Sequence, residues 1–194
     1  MADQFRQISR FGAVSLDELP ADLRERIGAI AEKSGFVPNV FLALGHRPAE
    51  LRAFCDYHDA LMERETGLSK AERELVVVAT SGANHCTYCV VAHGAILRVR
   101  AKDPYLSDRV ATNPWSTELS ARQRAIVDLA LALAVDPGAF CADDIEAARE
   151  AGLSDEEIWD VGAITALFAM SNRLAHLTAL RPNPEFFLMG RLPT

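Results

Sequence analysis

Apolar positions along the chain recur every three or four residues and do not alternate strictly, a pattern that predicts amphipathic helices rather than strands. Ser15-Leu16-Asp17-Glu18 has the form of a capping box, and 21–33 reads as a helix ending at Gly35. Pro38 is placed to open a short helix through Leu44. Pro48 opens a helix to about Arg64, with Leu51, Phe54, Cys55, His58, Leu61 and Met62 on one face. A second capping box, Ser69-Lys70-Ala71-Glu72, starts a helix whose apolar stripe is Leu75, Val76, Val78 and Ala79. The run Val76-Val77-Val78 follows a cap and lacks alternation, so it is assigned to that helix.

Gly82-Ala83-Asn84 marks a break, after which a helix runs from near Cys86 to about Arg100. Residues 101–118 hold prolines at 104 and 114 and read as a connection with a short helix. Ser120 caps a helix through Ala134, stopped by Asp136-Pro137-Gly138. A short helix from Asp143 to Ala151 ends at Gly152, and a third box at Ser154 to Glu157 opens a long helix to about Ala179. That helix is apolar nearly all round from Val161 to Met170, which predicts a central position. From Arg181-Pro182-Asn183-Pro184 onward a regular helix is not expected. The expectation is one all-α domain over 1–194, its helices packed around the helix bearing Cys86 and Cys89. Its parts are a helical extension at 1–66, a core motif at 67–101, further helices at 119–180 and a tail at 181–194. A weak repeat relates Leu68, Ser69, Arg73 and Val76 to Leu119, Ser120, Arg124 and Val127 at a constant offset of 51.

Composition narrows the classes. Hydrophobic residues make up 49% of the 194 and charged residues 24%, as in ordinary globular proteins. The net charge of −7 and the lack of a basic run beyond Arg98 to Lys102 disfavour nucleic-acid and anionic-membrane binding. The opening Met1 to Arg6 holds no apolar signal core, and Val161 to Met170 is about half of the ~20 residues a membrane span needs. A cytoplasmic location is the expectation.

Four cysteines, Cys55, Cys86, Cys89 and Cys141, are too few for a disulfide scaffold. In a reducing compartment a close pair points to redox chemistry or metal binding. Cys86 and Cys89 stand at a predicted helix start, where the helix dipole favours a thiolate, and one sulfur can close a disulfide on the other once it is oxidised. His93, one turn beyond Cys89, adds a proton acceptor, and Glu74 on the preceding helix can orient it if the two helices fold back. Two plainer readings remain open: an inert disulfide, and a zinc site using Cys86, Cys89 and His93 with His58 or His85. Glu74 and His93 taken singly read as a solvated and a packed residue, and His58 as a packed histidine.

Glu74, eleven residues, Cys86-x-x-Cys89, three residues and His93 together resemble the active-site signature of alkylhydroperoxidase D, whose wider family includes carboxymuconolactone decarboxylase. The resemblance is strongest over 68–100 and looser from Gly35 to the end, and Leu180 to Phe186 looks like the ending of the peroxidase-related branch. It implies an all-helical fold assembling as a trimer or hexamer, and thiol peroxidase or disulfide reductase activity with no cofactor, haem or metal. The implied partners are a hydroperoxide or disulfide substrate and an external dithiol, such as a lipoyl or thioredoxin-like protein. Cys89 would attack peroxide, Cys86 would resolve, and His93 with Glu74 would relay the proton. A helix start alone would favour Cys86 as the thiolate; the i to i+4 closeness of Cys89 to His93 favours the implied assignment. Tyr88 stands where alkylhydroperoxidase D has a second histidine, and a phenol titrating near ~10 is no base at neutrality. His85 is the nearby candidate to compensate. The rival functions are decarboxylase-type chemistry in the same cavity and a non-enzymatic redox sensor or assembly module.

Overall fold

The computed structural model describes residues 8–191, so the opening stretch read for a signal core and the last three residues lie outside it. The described residues form ten α-helices and no strand. They are α1 (Ala21–Ser34), α2 (Asn39–Leu44), α3 (Pro48–Met62), α4 (Lys70–Ala83), α5 (Thr87–Ala101), α6 (Leu106–Thr112), α7 (Ala121–Val135), α8 (Ala142–Glu150), α9 (Asp155–Thr178) and α10 (Pro184–Leu188). Two 3-10 turns, Leu16–Glu18 and Pro114–Ser116, precede α1 and follow α6.

Most helix ends obey local chemistry. Reciprocal capping boxes open α4, α7 and α9 through Ser69 and Glu72, Ser120 and Gln123, and Ser154 and Glu157. The Ser15–Glu18 box is present as expected and caps the 3-10 turn, and α1 begins at Ala21, after Pro20. The tail differs from expectation, because Pro184 occupies a first-turn position, where its missing N–H costs nothing, and the short α10 follows. Asn183 ties this segment down by accepting from the Asn39 amide at 2.7 Å and donating to the Val37 carbonyl at 2.9 Å.

The most enclosed helix is α4, in which the run Arg73 to Ser81 is buried without interruption. On one side Val76 and Val77 meet Leu61, Ile126, Val161, Ile164 and Phe168. On the other, Leu75 and Val78 meet Leu97, Leu106, Val110, Val127 and Leu131. Each such side chain contributes roughly 1.5–3 kcal/mol by leaving water. Gly82 lets α6 approach, since a Cβ there would stand 2.9 Å from the Ala111 carbonyl oxygen. Helix α9 is buried along one face while Trp159, Met170 and Leu177 are exposed on the other. No described helix is long and apolar enough to cross a membrane.

The weak repeat has a structural counterpart. Arg73 donates to the Thr66 carbonyl and Arg124 to the Thr117 carbonyl, each seven residues back, at 2.7 and 2.8 Å. Arg73 is fully buried; the same Nη2 also donates to Asp160 at 2.9 Å, which ties α4 to α9, while Nη1 donates to the Leu61 carbonyl at 2.7 Å.

Candidate active site

Helices α4 and α5 are joined by Asn84, His85 and Cys86, and the reversal is tight. The Cys86 amide donates to the Ser81 carbonyl at 2.9 Å, and His85 adopts a left-handed conformation at φ 53°. That turn folds α5 back along α4. Cys86 becomes the N-cap of α5, Cys89 falls in its first helical turn, and His93 faces Glu74.

Glu74 is 2% exposed. One carboxylate oxygen lies 2.8 Å from His93 Nδ1 and the other 3.2 Å from Arg100 Nη1. His93 and Arg100 are seven residues apart on one face of α5, so a single carboxylate is clamped from two points about two turns apart. Bonding at Nδ1 leaves the lone pair of a neutral His93 on Nε2. The edge of Phe168 packs against the imidazole at 4.6 Å between centroids.

Both sulfurs are 2% exposed and unbridged. The neighbouring Cys89 side chain and backbone N–H draw the Cys86 thiol down from 9.0 to about 7 despite burial, with help from the field of His176 and from Asn172. The nearby Cys86 sulfur and burial push Cys89 well above its ordinary range. The pair therefore ionises first at Cys86, with the shared proton left on Cys89. Ser171 Oγ lies 3.9 Å from Cys89 Sγ. Tyr88, Ala92, Ala95, Ala175 and Phe186 form one apolar cluster with the two cysteines.

The four residues singled out in the sequence thus form two adjoining units, the thiol pair and the Glu74–His93 pair. Among the described residues no hydrogen bond joins His93 to either sulfur. No group of three or more His, Cys, Asp or Glu side chains in the described residues converges as metal ligands would. Tyr88 is committed elsewhere, its oxygen accepting from the Val40 amide at 3.2 Å, and burial pushes its phenol further up. His85 is exposed and makes no side-chain bond among those described.

Arg100, Ser171, Asn172 and His176 escaped the sequence reading. Asn172 donates to Ser81 Oγ at 3.0 Å and accepts from Asn84 at 3.1 Å, while His176 Nε2 reaches the Asn84 carbonyl at 2.9 Å. Their signal was a polar Ser-Asn pair interrupting the apolar face of α9.

The sequence profile of the carboxymuconolactone decarboxylase family matches residues 48–104, which carry all four site residues. No curated protein sequence matches the chain. Among solved structures, an uncharacterised peroxidase-related protein from Ralstonia eutropha JMP134, described as an alkylhydroperoxidase AhpD core, is 54% identical, with a TM-score of 0.94 over 96% of this chain and 98% of that one. An uncharacterised peroxidase-related protein from Silicibacter sp. TM1040 is 37% identical, with a TM-score of 0.86 over 92% and 94%. A debrominase shares the fold at 17% identity, with a TM-score of 0.77 over 92% and 93%. With identity at this level sustained along nearly the whole length of the first two proteins, this chain belongs to the AhpD-like, carboxymuconolactone decarboxylase family.

Proposed function

We propose that the protein is a thiol oxidoreductase that reduces hydroperoxides or small disulfides with Cys86 and Cys89 as its redox pair. The observation that carries this reading is the unbridged, adjacent thiol pair in which one sulfur ionises near neutrality. A thiolate is the reactive form, and a neighbouring thiol is what converts a sulfenic acid into a disulfide.

The Cys86 sulfur neighbours the Cys89 thiol and, once ionised, is a base within its reach. Moving that proton across leaves a Cys89 thiolate one helical turn from His93, which supplies the proton that the departing alkoxide needs. Cys89 attacks the peroxide oxygen and becomes a sulfenic acid. Cys86 then attacks that sulfur, a disulfide forms, and water leaves. An external dithiol, such as one on a lipoyl or thioredoxin-like protein, restores the pair by exchange. A homo-oligomer, trimer or hexamer, is the proposed assembly, with exposed Trp159, Met170 and Leu177 of α9 as its apolar surface.

One observation favours a second reading. The lowered titration of Cys86 makes it the thiolate at rest, so it could attack first with Cys89 resolving. The two readings separate on trapping. Reduced Cys86→Ser and Cys89→Ser proteins are mixed with tert-butyl hydroperoxide and a sulfenic-acid reagent. Trapping at Cys89 in Cys86→Ser supports the first assignment, and trapping only at Cys86 in Cys89→Ser supports the second. Wild-type protein that keeps all its thiols against both peroxide and disulfide would remove the proposed function.

A further inference from the structure

Beyond Glu74 and Phe168, the imidazole of His93 has a third neighbour. The ring of His58, from α3, lies 6.2 Å away between centroids. His58 Nδ1 is 3.0 Å from Asp59 Oδ1, and Asp59 also takes Arg26 of α1 at 2.6 Å. These two contacts, that of His58 foremost, hold Asp59 down to about 2. Two imidazole–carboxylate pairs, Glu74–His93 and Asp59–His58, thus face each other across a short gap. Side-chain exposure rises along the line: 3% at Glu74, 14% at His93, 28% at His58 and 51% at Asp59. Phe54 and Phe168 flank His58, each at 6.3 Å, so the line runs between apolar walls.

We infer that His58 is a positioning residue for the thiol reaction: it carries protons between His93 and solvent, with Asp59 holding its ring. This rests on the thiol-redox reading. The need follows from proton balance. A pair holding one proton, as thiolate and thiol, reacts with a hydroperoxide and one further proton to give disulfide, alcohol and water. Reduction by a dithiol returns the pair and releases that proton. Both sulfurs are 2% exposed, so the proton must be delivered.

The geometry meets that need. Both Nδ1 atoms are engaged by carboxylates, which leaves both Nε2 atoms as the free ends. With the ring centroids 6.2 Å apart, a water between the rings would complete the path. The charged groups around the line are Asp59 on α3, Arg26 on α1 with its other partner Asp56, Glu74 on α4, and Arg100 on α5. Two imidazolium ions this close repel, so a proton arriving on one ring favours departure from the other.

The test uses the full chain, single-turnover oxidation by tert-butyl hydroperoxide, and a pH series from 5.5 to 9. His58→Gln removes the titrating ring but keeps a hydrogen-bonding side chain, and His58→Ala opens the space. Oxidation in both variants should fall about tenfold or more, with an altered pH profile. Imidazole added to His58→Ala should restore much of the rate. A His58→Gln protein with the wild-type rate and profile overturns the relay. So does a slower variant whose profile keeps its shape and whose Ala counterpart ignores imidazole, since that marks a packing role. Wild-type protein that loses no thiols overturns the redox reading itself, and this is seen before any variant is made.

Discussion

The carboxylate of Glu74 joins two residues of the next helix at once, taking His93 Nδ1 at 2.8 Å on one oxygen and Arg100 Nη1 at 3.2 Å on the other. A buried carboxylate in this position fixes the ring and the tautomer of His93 together. Glu74→Gln keeps the shape but removes the charge that faces both partners. Oxidation of the thiols by tert-butyl hydroperoxide should slow by about 100-fold. Stopped-flow thiol loss measures it, and a rate within twofold of wild type would show that the clamp has no part in the chemistry.

The pair's ionisation predicts a pH dependence. Cys86 is drawn from 9.0 down to about 7, so it is a neutral, unreactive thiol below that pH and a thiolate above it. Alkylation by iodoacetamide should therefore rise through about pH 7 and level off, modifying Cys86 well before Cys89, which is pushed upward. In Asn172→Ala the midpoint should move up, because a side chain that favours the ionised sulfur is gone. Mass spectrometry after timed labelling reads both effects. Equal labelling of both cysteines, or a midpoint near 9, would contradict the shared proton.

Tyr88 offers a separation of structure from chemistry. Its oxygen accepts the Val40 amide at the start of α2, so Tyr88→Phe leaves that donor without a partner. Stability should drop by about 1–2 kcal/mol, read from urea unfolding. Thiol oxidation should be unchanged within twofold.

The buried pair Arg73–Asp160 should behave oppositely to a surface ion pair. The two side chains are 0% and 1% exposed. Asp160→Asn removes the carboxylate that balances the buried Arg73 charge and leaves it only carbonyl partners, at a cost of about 3–5 kcal/mol. At ~2–4 °C per kcal/mol for a chain of this size, the melting temperature should fall by roughly 10 °C. A change of a degree or two would mean that Arg73 finds other partners.

Helix positions were legible because their signals are local. Ser69 and Ser154 cap where the boxes were read, Ser120 caps as expected, and the valine run from Val76 to Val78 is helical. The meeting of Glu74 with His93 could be anticipated from spacing and a tight turn. The partition of charge between Cys86 and Cys89 could not. It depends on how the two sulfurs sit against each other, and on Asn172 and His176, more than eighty residues downstream. His58 read as a packing residue because its own helix shows only an apolar face; its place beside His93 exists only once α3 and α5 are assembled. The short α10 was missed because Arg181-Pro182-Asn183-Pro184 reads as a helix breaker, whereas Pro184 sits in the first turn and costs no hydrogen bond there.

The unbroken burial of α4 has a practical consequence for mutagenesis. Nine consecutive residues, Arg73 to Ser81, lack contact with solvent, and Glu74 is one of them. Random substitution in this segment will mostly yield proteins that are both unfolded and inactive, and a screen for lost activity will rank the segment high for reasons of folding alone. His93 and His58, which keep some contact with solvent, are less prone to that confusion, so informative libraries should be built on α3 and α5 and scored for abundance alongside turnover.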